Sequence, residues 1–82
     1  MTTAYANAIN ASAARLQYIN EVARPALIAA QTAAMQISDD DSLEADIAMA
    51  TVAGLKAQIE YLQASAKKFS EYAEELRGEV DL

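Results

Sequence analysis

The chain has 82 residues, a net charge of -6, and neither Cys nor His. Those absences remove thiol and disulfide chemistry, the commonest general base and the commonest metal ligand. The acidic balance speaks against binding nucleic-acid phosphates or anionic lipid, both of which call for Lys and Arg.

This length allows one domain with a modest core. Ala dominates, with one Pro and two Gly, which favours helix throughout. Thr2 and Thr3 are candidate N-caps, since a hydroxyl there can accept from free backbone N–H groups. A first helix is expected over about residues 3–37. Its apolar positions step by four and three through Tyr5, Ile9, Ser12, Leu16, Ile19, Ala23, Ala26, Ala30, Ala33 and Ile37, a heptad seam. Ser12 is the polar member of that seam, where a buried polar group can set register or simply allow close packing. Pro25 removes one helical hydrogen bond and clashes with the preceding turn. Because the seam keeps its phase past it, the expectation is a continuous helix kinked near Pro25. Beyond that point Ile28 and Met35 fall off the seam and, with Pro25 and Thr32, form a second stripe.

Ser38-Asp39-Asp40-Asp41-Ser42 is the turn, expected over residues 38–42. Consecutive carboxylates favour water and suit the N-terminus of the next helix. Asp41 or Ser42 is the expected start of that helix. The run lacks the alternating oxygen ligands, central Gly and distant Glu of an EF-hand loop, so turn and cap is the preferred reading. Glu71, Glu74 and Glu75 are read as a solvated face, because di-metal bundle sites pair Glu with His.

A second helix is expected over about 42–77, with its seam at Ala45, Ala48, Val52, Leu55, Ile59, Leu62, Ala66, Phe69, Ala73 and Leu76, and Val80 in phase beyond. A further stripe of mostly small residues runs through Ile47, Ala50, Gly54, Ala57, Tyr61 and Ala64. Gly78 is expected to cap the helix in a left-handed conformation, followed by a tail over 78–82.

Two such helices joined by a short turn form an antiparallel hairpin, an all-α single domain over 1–82, with residue i near residue 80 minus i. The turn lacks both the Trp-x-Gly of WXG-type secreted hairpins and the Pro-containing turn of type III secretion needle subunits, so neither family's residues carry over. A hairpin cannot cover a helix on two sides, so the second stripes are the expected interface: Pro25, Ile28, Thr32, Met35, Ile47, Ala50, Gly54, Ala57, Tyr61 and Ala64. The expected function is non-enzymatic: a structural or assembly module that associates with itself, a four-helix bundle of two hairpins being the default. The alternative is a small acidic factor, such as an inhibitor, antitoxin-like protein or chaperone, that docks an apolar helix face on a partner protein. No cofactor, metal or nucleic acid is expected. Met1 to Ala14 makes a poor secretory signal, and the uncharged run 25–38 is shorter than the ~20 residues of a membrane span. A soluble, cytoplasmic protein is expected by default, with export by a signal-independent route left open.

Overall fold

A computed structural model of the chain describes the backbone of residues 3–80 and the side chains of residues 3–78. The expected cap at Thr2, the seam position Val80 and the end of the tail lie outside the described side chains. The chain folds as an all-α antiparallel hairpin. The first arm comprises α1 (Thr3–Tyr18), a π-helical segment (Ile19–Ala23) and α2 (Arg24–Met35); the second is one helix, α3 (Leu43–Val80). No strand occurs among the described residues, and no helix there is long and apolar enough to cross a membrane. The hairpin measures 62 × 17 × 13 Å.

The first arm passes Pro25 without ending, as its sequence suggests, but not in constant phase. In an α-helix the N–H of residue 25 would reach the carbonyl of Glu21; Pro has no N–H, and its ring presses on that carbonyl. The wider π turn immediately before it accommodates the ring, with the Arg24 N–H donating to the Ile19 carbonyl five residues back. A π turn adds one residue to the helical count. Before it, the residues turned inward are Tyr5, Ala8, Ser12, Arg15 and Ile19; after it they are Ala23, Leu27, Ala30, Ala34 and Ile37. The second set is the first one's three-four rhythm displaced by one position. The single seam expected from the sequence therefore straddles both phases. Tyr5, Ser12, Ile19, Ala23, Ala30 and Ile37 do face inward, whereas Ile9, Leu16, Ala26 and Ala33 are exposed.

In α3 all ten expected seam positions from Ala45 to Leu76 are buried or half-buried. Nothing interrupts that helix, so its heptad rhythm survives intact. The core is thin. Ile19 is the one large side chain fully buried among the described residues, and it packs with Ala23 and Ile59, flanked by Leu27 and Leu62. Burying such a side chain contributes about 1.5–3 kcal/mol. The remaining buried apolar positions, Ala8, Ala45, Ala66 and Ala73, are methyl groups that let the helices approach closely.

The turn is built by its own side chains. The Asp41 N–H donates to Asp39 Oδ1 at 3.1 Å, and Ser42 Oγ donates to the Asp39 carbonyl at 2.8 Å. Ser42 Oγ also accepts from the Ala45 N–H at 3.1 Å, which makes Ser42 the N-cap of α3. At the other end the expected cap does not form. No described Gly has positive φ, and α3 runs through Gly78 to Val80. A Gly tolerates the left-handed conformation without requiring it; here the helix continues.

Candidate interaction surface

Two polar side chains lock the open half of the hairpin. Ser12, buried between the helices, donates from Oγ to the Ala66 carbonyl at 2.9 Å. Arg15 donates from Nε to Ser65 Oγ at 2.7 Å and from Nη1 to the Ala11 carbonyl at 3.0 Å, and its guanidinium lies 4.5 Å from the Phe69 ring centroid. Such a cation–π contact is worth roughly 0.5–1 kcal/mol at a partly exposed site. These contacts hold residue i opposite residue 80 minus i to within a few positions, the register expected from folding about the Asp run. Ser12 thus ties the two arms together across the seam. Arg15 is a contributor that the apolar pattern did not reveal, since its inward position follows from the phase that also brings in Ala8.

The tip half has no equivalent lock, and its apolar surface is open. Each residue of the two second stripes, Pro25, Ile28, Thr32 and Met35 on the first arm and Ile47, Ala50, Gly54, Ala57, Tyr61 and Ala64 on α3, is exposed. They are not one patch. At 100° per residue, each stripe sits about 150° or more from the face its own helix turns to the other. The stripes therefore lie on opposite backs of the hairpin. A Cβ added at Gly54 would meet nothing within 4 Å, so packing within the hairpin does not require Gly there.

A second kind of surface is visible only once both helices are placed. On one flank, between α2 and α3, runs a groove of about 560 Å³ lined by Gln31, Ala34, Met35, Met49, Val52, Ala53 and Lys56. Met35 and Met49 are 85% and 66% exposed, so each wall of the groove carries an open apolar side chain, beside Gln31 and Lys56. A smaller depression of about 330 Å³, lined by Ser12, Leu16, Gln63, Ala66, Lys67, Ser70 and Glu71, lies farther down. Met49, Val52, Ala53 and Lys56 each recur two heptads on as Gln63, Ala66, Lys67 and Ser70, so both depressions share one flank of α3. Of the stripe residues, Met35 lines this groove. Met49 and Ala53 fall outside the seam and stripe expected of α3; their sequence signal is an apolar pair four residues apart beside the seam.

Among the described residues no three acidic side chains converge on a point where a metal ion could be held. Compared with known proteins, the chain matches no family model, no curated protein and no solved structure.

Proposed function

We propose that this protein is a non-enzymatic assembly module that associates with copies of itself through the apolar surfaces of its tip half. The observation that carries this reading is the amount of surface the hairpin leaves in water. Its accessible surface is 5932 Å², whereas a compact monomer of 8.8 kDa would expose about 4,800 Å². The excess, roughly 1,100 Å², exceeds the ~800 Å² that each partner buries in an interface of standard size. Much of what is exposed is apolar and lies toward the tip: Ile28, Met35, Leu43, Ile47, Met49 and Tyr61 are all more than half exposed. A thin, mostly Ala core leaves a lone hairpin little stability of its own, and association would supply the missing burial.

One observation favours the second reading, a factor that docks on another protein. Residues 25–55 contain Asp39, Asp40, Asp41, Glu44 and Asp46 and no Lys or Arg, so an acidic rim borders the apolar surface at the tip. That combination suits a basic partner. The mass in solution separates the two. Light scattering at tens of micromolar, a concentration on the scale of ordinary interface affinities, is expected to give a dimer or larger. A monomer at that concentration ends the self-assembly reading and leaves the docking factor.

A further inference from the structure

We infer that the Met35/Met49/Ala53 flank groove is the primary seat of self-association, and that it receives a second copy of the chain in antiparallel orientation about a two-fold axis. The inference rests on the self-association reading above and adds to it which surface is used and in which direction the copies run.

The occupant follows from surface and charge together. The hairpin's surface excess exceeds what one standard interface needs per chain. The outer stripes lie on opposite backs, so one neighbour cannot cover both. The flank groove is a single depression with Met side chains on both of its walls, and Met adapts its shape to whatever it packs against. A two-fold axis would set the same patch against itself, so Met35 and Met49 of one copy would fill the groove of the other.

Charge then sets the direction. The tip, Asp39 to Asp46, carries five carboxylates and no cation. A parallel pair would bring two such tips together, and like charges juxtaposed in an interface are costly. The antiparallel pair avoids this. With the axis near Val52 and Ala53, the turn lies roughly ten residues, or about 15 Å, from it. It therefore meets the other copy about ten residues below the axis, on the stretch of α3 between Lys56 and Lys67. Both of those lysines line the flank depressions, against one carboxylate there, Glu71. Residues 56–71 carry Lys56, Lys67 and Lys68 against Glu60 and Glu71, so the acidic tip meets a slightly basic stretch in place of its own like.

The absence of cysteine makes the test direct. Spin labels are placed at Asp41→Cys or, separately, at Ala53→Cys, each labelled protein is first matched to the parent's oligomer mass because Ala53 lines the groove, and label-to-label distances within the oligomer are measured. The antiparallel groove dimer puts the Ala53 labels close to each other and the two Asp41 labels at about 30 Å, twice the distance from turn to axis. Asp41 labels as near to each other as the Ala53 labels, or nearer, would overturn the antiparallel arrangement. A second measurement addresses the surface itself. Met49→Glu is expected to weaken association at least tenfold with the helical circular dichroism retained, while Ile28→Glu on the outer stripe leaves it within a factor of about two. The opposite ranking overturns the groove while self-association stands. A monomeric parent protein overturns both.

Discussion

At the scale of single residues, the hairpin depends on a few side chains in small-residue surroundings. Ser12 illustrates how a polar group in a seam is tolerated: its hydroxyl is buried yet spends its proton on the Ala66 carbonyl, so no desolvation penalty is left over. Ser12→Ala removes that bond without leaving a buried donor behind. The expected cost is about 1 kcal/mol, read as a fall of several degrees in melting temperature; an unchanged melt would mean that the bond contributes nothing to the fold. Gly54 poses the reverse case. It lies in the middle of α3, exposed, with open space where a Cβ would go. Gly→Ala inside a helix stabilises by about 1 kcal/mol, so Gly54→Ala should raise the melting temperature of the hairpin. If the oligomer weakens at the same time, Gly54 touches a neighbouring copy; if it does not, the outer stripe of α3 is free of close contact there.

At the scale of elements, the two arms solve the same packing problem differently. α3 holds one heptad rhythm from Ala45 to Leu76. The first arm changes phase at the π segment, and the change is what brings Leu27 and Ala34, rather than Ala26 and Ala33, to the core. This makes a specific expectation about chain length. Deleting Glu21, which is exposed within the π segment, in a Pro25→Ala background removes the extra residue and the ring that accompanies it. The inward residues on both sides then fall on a single α-helical rhythm, and the thermal melt should stay within a few degrees of Pro25→Ala alone. Deleting Ala13 from α1 instead splits Ser12 from Arg15 and Ile19, and should cost several kcal/mol through the loss of core burial and of the polar lock. Equal loss from both deletions would show that the π segment is not a phase adjuster.

At the scale of the whole molecule, shape is the dominant fact. The radius of gyration is 18.2 Å, against about 12 Å for a compact chain of this length. A rod 62 Å long and 13 Å across in its thinnest direction has too little interior to hide its own apolar side chains. Exposure of the tip half is therefore a consequence of architecture, and association is the ordinary way such a rod gains a core. Its charge layout, acidic at the turn and mixed between residues 56 and 71, would give the proposed association a direction. In the proposed antiparallel pair the acidic tip faces the lysines of the other copy, so added salt should loosen that pair, whereas it would tighten a parallel one. The mass measurement and the label distances together decide how many copies there are and how they are placed.

Much of this was determined by the sequence by itself. The helical hairpin, its turn at the Asp run, a cap at Asp41 or Ser42 and the apolar inward seam of α3 follow from propensity, capping chemistry and a rhythm that nothing interrupts. The tertiary structure alone decided three things. It inserted a residue into the helical count before Pro25, because the cost of the proline ring is relieved by widening the turn only if the shifted residues still find a core. It carried α3 through Gly78, because a glycine permits a cap without imposing one. And it created the flank groove, because a groove between two helices exists only when the rotation of each is known relative to the other, and the π turn sets the rotation of one of them.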